Sequence, residues 1–188
     1  TGGFGYNQHE SLTIKHQLIY SAGNKALQLK NVIASLLDTK ISSDLLFDFA
    51  KNHSEMHFET EKLKIKQLKK FLDKEAVELI DKYSIQGNHN FKIDLKGPVN
   101  GSKLIATISM QSNDLKALHP EYKQKIKINE TKALWEIPNL NNWKNSRLKI
   151  STLKGINEDS DFTISMDIEN LLQPKIRAQL FTSQKAKF

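Results

Sequence analysis

Over most of its length this chain alternates between apolar and polar residues, and a two-residue period admits few folds. Leu12, Ile14, Leu18 and Tyr20 share a phase with His16, opposite Thr13, Lys15 and Gln17. Phe91, Ile93 and Leu95 oppose Asn90, Lys92, Asp94 and Lys96, which is the clearest case. Successive side chains of a strand point to opposite faces, so each such stretch reads as a strand with one apolar face. The phrase GPVNGS at 97–102 supplies turn residues, and Leu104, Ala106, Ile108 and Met110 repeat the alternation after it, which predicts a hairpin.

The same pattern marks Lys40 to Lys51 through Leu45, Phe47 and Phe49, and His53 to Lys64 through Met56 and Phe58. In Ala26 to Leu37 the apolar residues change phase around Asn31, as a bulged or broken strand does; a short helix is the alternative. Ile126 and Ile128 lead into Ala133 to Ile137, which Pro138 ends. Three further strands carry Leu148 and Ile150, then Phe162, Ile164, Met166 and Ile168, then Ile176, Ala178 and Leu180. Ser112 to Tyr122 reads as an irregular connection or a single helical turn, and Asn139 to Ser146 as a loop. The pattern gives about nine or ten strands.

One stretch breaks the rule. From Ile65 to Tyr83, apolar residues at Ile65, Leu68, Leu72, Ala76, Leu79 and Tyr83 recur every three or four positions, with Phe71 and Ile80 widening the stripe. This predicts one amphipathic helix over about 65–83, with Gly87 as its stop. Nineteen helical residues span about 28 Å and about 10 Å of width, enough to cover two or three strands at about 4.8 Å spacing. Most of the apolar sheet surface stays uncovered. The predicted fold is mainly β (α+β): an antiparallel, strongly curved sheet forming an open groove or partly closed barrel, with the helix packed on it as an end cover.

Composition sets the outer bounds. The 188 residues are 38% hydrophobic and 26% charged, which predicts one folded domain over 1–188 with a glycine-rich flexible lead-in at 1–9. The net charge of +7 is spread along the chain, and only Arg147 and Arg177 carry the guanidinium groups that read phosphates and bases in pairs, so nucleic acid is not an expected partner. There is no cysteine, no apolar run long enough to cross a membrane as a helix, and no signal-peptide pattern. The chain begins at Thr1 and reads as a segment of a longer polypeptide.

Catalytic chemistry has no positive sign. No nucleophile elbow, phosphate loop or dinucleotide fingerprint occurs, so no enzyme activity and no cofactor are expected. His53, Glu55 and His57 would project from one strand face in the manner of metal ligands, but they lack the HExxH order and a helix, a solvated strand edge accounts for them better, and no metal site is assigned. Glu158, Asp159 and Asp161 read as a solvated turn, and His16 as a hydrogen-bonded core or rim residue. Trp135 and Trp143 flank the asparagine-rich loop, where they anchor it or form a rim.

Three phrases resemble a known family. FETEKLKIKQLKKFL (58–72) looks like a strand running into a short helix, and IQGNHNFKIDLKGPVNGSKLIATISMQSNDL (85–115) looks like the glycine, strand, turn and return strand that follow it in the AsmA-like family, which includes TamB-type members of the Gram-negative envelope. Ser146 to Ile150, Ser160 to Ile164 and Asn170 to Ile176 are similar to the C-terminal part of AsmA-like proteins. The resemblance covers about residues 55 to 183 and lacks the family's N-terminal anchor and most of its length. It implies a non-catalytic, periplasmic lipid-binding or lipid-transfer segment in outer-membrane biogenesis, inner-membrane-anchored through the rest of the parent chain, with phospholipid or another acyl lipid as partner and envelope proteins besides. On that reading Phe91, Ile93, Leu95, Leu104, Ile108, Met110, Phe162, Ile164, Met166 and Ile168 form the groove face that touches acyl chains. The alternative is a closed β-sandwich or barrel acting as a protein-interaction module of the envelope.

Overall fold

A computed structural model describes residues 13–36, 39–69, 74–157 and 160–184. In chain order the elements are β1 (Thr13–Ser21), β2 (Ala26–Leu36), β3 (Thr39–Asp48), β4 (His53–Lys64), α1 (Ile65–Leu68), α2 (Lys74–Lys82), β5 (Asn88–Gly97), β6 (Ile105–Ser112), β7 (Leu115–Leu118), β8 (Lys125–Ile137), β9 (Arg147–Asn157), β10 (Ser160–Glu169) and β11 (Lys175–Gln184). All strands pair antiparallel in one 11-stranded sheet, each with its neighbour in sequence, except that β6 and β7 both pair with β8. Among the described residues β1 and β11 form the two edges and do not pair with each other, so the sheet is open.

β6 and β7 are the two halves of one sheet line broken at Asn113 and Asp114. Met110 and Ser112 pair with Ala133 and Thr131, while Leu115 and Ala117 pair with Ile128 and Ile126. On the other side, β5 is continued past its own start by a bridge between Gln86 and Lys116. The break is held by Asp114, whose carboxylate accepts from the Asn88 backbone N–H at 3.1 Å and from Asn88 Nδ2 at 3.3 Å. Gly87 (φ 135°) makes this approach feasible, because a Cβ there would stand 2.8 Å from the Asp114 carbonyl oxygen. The 112–122 connection thus contains a strand that its few alternating residues were too short to reveal.

Bulges account for the phase changes in the sequence. Asn31 (φ 54°) sits where the β2–β3 register slips between Leu29 and Val32, and its displaced N–H donates to Asp44 Oδ1 at 2.8 Å. Lys62 (φ 56°) does the same between Thr60 and Leu63, its N–H donating to Asn90 Oδ1 at 2.8 Å. In both, a side-chain acceptor from the next strand replaces the lost ladder partner, so the extra residue carries no unsatisfied amide. β8 runs unbroken from Ile126 and Ile128 into Ala133–Ile137, as the sequence predicts, with slips between Ile128 and Glu130 and between Lys132 and Ala133. His16 lies at the β1 slip between Lys15 and Gln17 and is exposed, which overturns its expected core or rim position.

The predicted helix over 65–83 is two helices, α1 and α2; residues 70–73 lie outside the described residues. Its end also differs from the prediction. Ser84 (φ 47°), not Gly87, takes the left-handed closing position: its N–H donates to the Asp81 carbonyl at 3.0 Å, and that of Ile85 reaches back to Ile80 at 2.9 Å. The half-buried Ile80 and Ile85 complete the motif. The Ile65 N–H donates to the Gly87 carbonyl, Thr39 Oγ1 donates to Gln67 Oε1 at 2.9 Å, and the Leu118 N–H donates to the Tyr83 carbonyl at 2.8 Å. These bonds tie the helical crossover to β3 and β7 at one end of the strands. Leu79 on α2 stays 56% exposed.

Two substitutions test this packing. Phe162 lies across Gly155, where a Cβ would collide with its ring and stand 2.7 Å from the Lys127 carbonyl oxygen. Gly155→Ala is therefore expected to cost about 1–3 kcal/mol in urea unfolding, an overpacking effect. Ser84→Gly relieves the left-handed strain and should raise stability by about 0.5 kcal/mol in the same assay.

Candidate functional site: an apolar sheet face

Directly paired residues of antiparallel strands share a face, so the register decides which side chains meet. One row runs Phe58, Ile93, Ile108, Trp135, Leu148, Ile168 and Ile176 across seven strands. Beside it runs Thr60, Phe91, Met110, Ala133, Ile150, Met166 and Ala178. On the other flank, Leu18, Leu29, Leu45, Met56, Leu95, Ala106 and Ile137 form a third row. Ile164 joins through Leu153 and Thr131 to Ser112, and Phe162 pairs with Gly155 and so with Ile128.

The groove residues named from sequence are thereby brought onto one face, although they come from the β5–β6 hairpin and from β10, which begins fifty residues after Met110. Leu104 is the partial exception. It lies just before β6 rather than within it, half-buried, its carbonyl accepting from the Leu140 N–H at 2.9 Å. The linking residues Ala133, Trp135, Leu148, Ile150 and Leu153 were not among the named set. Their alternation is visible in sequence, but nothing in sequence fixes the register that places them between the β5–β6 hairpin and β10.

From β3 to β10 six strand spacings of about 4.8 Å make this apolar strip about 29 Å long. One leaflet of a bilayer has a hydrocarbon depth of about 15 Å, half of the whole core, so an acyl chain fits across the strands with room to spare. The strip is only half-buried: Phe91, Ile93, Leu95, Ile108, Met110, Phe162, Ile164, Met166 and Ile168 are all of intermediate exposure. Fully buried apolar residues, among those described, are Ile65, Ala106, Leu115 and Ile137, and they sit at the two ends of the strands, on either flank of the strip. Ile65 and Leu115 sit at the helical end. Ala106 and Ile137 sit at the other, where Trp143 stands edge-on to Trp135 at 5.1 Å and its Nε1 donates to the Leu140 carbonyl at 2.8 Å. Trp143 thus anchors the asparagine-rich loop.

The opposite face is charged. A representative row is Ser42, Glu59, Lys92, Ser109, Leu134, Lys149, Asp167 and Arg177. Lys92 pairs with Glu59 at 3.1 Å, and Lys154 and Lys132 pair with Glu130 at 3.2 and 2.7 Å. Arg147 Nε donates to Asp167 Oδ1 at 2.9 Å, and that hydrogen bond, reinforced by the guanidinium charge, holds the Asp167 carboxyl below its usual range. His53, Glu55 and His57 do share this face, yet they engage separately: His53 Nε2 meets Glu55 Oε1 at 3.1 Å, while His57 Nδ1 turns to Asp94 Oδ1 at 2.7 Å. Among the described residues no three such groups are placed to hold a metal ion. Glu158 and Asp159 lie outside the described residues, and Asp161 belongs to β10 instead of the predicted turn.

Sequence gave no reason to single out His89. It is only 6% exposed, packs on Phe91 with ring centroids 5.6 Å apart, and its Nδ1 has no hydrogen-bond partner. Burial lowers its pKa from 6.5, against the partly opposing charge of Asp114. No protein family, curated protein or solved structure matches this chain.

A neutral His89 in the fold and an ordinary one in the unfolded chain mean that the unfolded state takes up the proton first. The contribution to stability is complete above pH 6.5 and is lost as pH falls below it toward the lower folded-state value. His89→Leu should therefore flatten the decline in stability between about pH 7.5 and 5.5, measured by urea unfolding at each pH.

Proposed function

We propose that the apolar face binds acyl chains and that the chain is a non-catalytic lipid-binding segment of an AsmA-like envelope protein working in the periplasm in outer-membrane biogenesis. The observation that carries this reading is the overlap of apolar rows that run from β1 to β8 and from β4 to β11, with no second layer over their middle among the described residues. Monomeric proteins seldom leave so broad an apolar surface without a use for it. The phrases that resemble AsmA-like proteins fall on these same strands.

The mechanism is passive. Each methylene removed from water contributes about 0.8 kcal/mol, so ten of them suffice to hold a chain with no dedicated headgroup contact. Because successive rows present similar Ile, Leu, Met and Phe surfaces, a chain moving across them meets shallow steps of similar depth. The charged opposite face keeps the sheet in water. A closed interaction module would have consumed its apolar faces internally, and the unpaired β1 and β11 edges do not favour that reading.

Photo-crosslinking side chains placed at Ile93 and Ile164 should capture co-purifying lipid, identified by mass spectrometry, and those at Lys92 and Thr163 should not. Equal labelling of the two faces, or protein that carries no lipid and binds no hydrophobic dye, would sink the proposal. Ile93→Glu should weaken binding of a neutral acyl detergent about tenfold, the loss of roughly two methylene contacts.

A further inference from the structure

At the end of the strands away from the helices, the chain reverses through five connections, all within the described residues: 22–25 between β1 and β2, 49–52 between β3 and β4, 98–104 between β5 and β6, 138–146 between β8 and β9, and 170–174 between β10 and β11. Each is hydrogen-bonded to the next. The Phe49 N–H donates to the Lys25 carbonyl at 3.0 Å, the Val99 N–H to Asn52 Oδ1 at 3.2 Å, Asn141 Nδ2 to the Ser102 carbonyl at 3.2 Å, and the Asn170 N–H to the Ser146 carbonyl at 2.8 Å. The turns therefore form one continuous surface across the end of the sheet.

That surface is one-sided in charge. It holds Lys25, Lys51, Lys103 and Lys144, all exposed, and no carboxylate. Lys51 is ion-paired at 3.2 Å with Asp48, the last residue of β3, whereas Lys25, Lys103 and Lys144 have no ion pair among the described residues. Between these cations stand apolar side chains that water reaches: Leu172 is 67% exposed, Phe49 51% and Trp143 39%. Phe49 stacks on Phe47 and Trp143 stands edge-on to Trp135, and both inner rings belong to the apolar face of the sheet. The turn surface and the apolar strip thus meet through aromatic rings.

We propose that this end of the sheet docks on an anionic lipid bilayer, with Lys25, Lys103 and Lys144 at the level of the headgroups and Phe49, Trp143 and Leu172 entering the interface. Aromatic rings favour that depth, and each ammonium group near a negative surface adds to the attraction. The five turns contain no arginine, so they lack the paired guanidinium contacts that suit a nucleic acid. Docking rests on the turns alone. Passage of an acyl chain between the bilayer and the strip, past Trp143, rests also on the acyl-binding reading.

The test is flotation of the full chain with vesicles of phosphatidylcholine, alone or in equimolar mixture with phosphatidylglycerol. The mixed vesicles should bind far more protein, and less as salt is raised. Lys25→Gln, Lys103→Gln and Lys144→Gln together should weaken binding to them about hundredfold, and Leu172→Ser severalfold. All four side chains are exposed, so the melting temperatures should stay that of the parent. The chain has no cysteine, so a polarity-sensitive label on Leu172→Cys is a single probe; it should shift to the blue on mixed vesicles, while the same label on Lys92→Cys, in the middle of the charged face, should not. Equal binding to both kinds of vesicle, a lysine variant that binds like the parent, equal shifts at the two labels, or tighter binding to double-stranded DNA than to the mixed vesicles would each overturn the proposal. Vesicle binding by a chain that takes up no dodecyl maltoside would support the docking surface and remove the acyl-binding reading; detergent uptake without vesicle binding would do the reverse.

Discussion

A single layer of strands cannot bury its own apolar face, and that constraint governs this molecule. Strand pairing satisfies the backbone polar groups between the two edges β1 and β11, and alternation sends the charged residues to one side. The other side then has to be covered by something beyond the sheet or left partly open. Among the described residues the coverage comes at the ends of the strands, from the α1–α2 crossover and from the loop pinned by Trp143. The half-buried middle is what the proposed function uses.

Coherence of that face depends on register. A slip of one residue would interleave Lys92, Asp94 and Lys96 with the apolar rows, so the places where residues are added are as consequential as the strands themselves. The bulges at Asn31 and Lys62 each add residues while the displaced amide finds a side-chain acceptor. Alternation resumes in the correct phase beyond them. Gly155 serves the same end differently, leaving space for the Phe162 ring to lie flat on the sheet.

Polar departures from this plan occur at both ends of the strands. His89, Ser112 and Thr131 are buried on the apolar face at the helical end, and Ser112 Oγ donates to the Asn88 carbonyl at 2.6 Å while His89 Nδ1 and Thr131 Oγ1 have no partner. Buried polar atoms without partners cost stability. The other end carries its own unpartnered atoms, Trp135 Nε1 and Asn170 Oδ1.

Much of the fold was legible in the sequence, because alternation is a local property. The strands around Phe91, Leu104–Met110 and Phe162, the phase change at Asn31 and the apolar side of each strand follow from the order of residues alone. β7 escaped because four residues carry too short a pattern. The stop at Ser84 was hidden behind the more obvious Gly87, whose φ is required instead by its approach to Asp114. The joining of Met110 to Met166 and of Ile108 to Ile168 into continuous rows and the burial of His89 were decided only in three dimensions. Sequence determined which face of each strand is apolar; pairing between distant strands, which no local pattern encodes, determined that those faces form one surface.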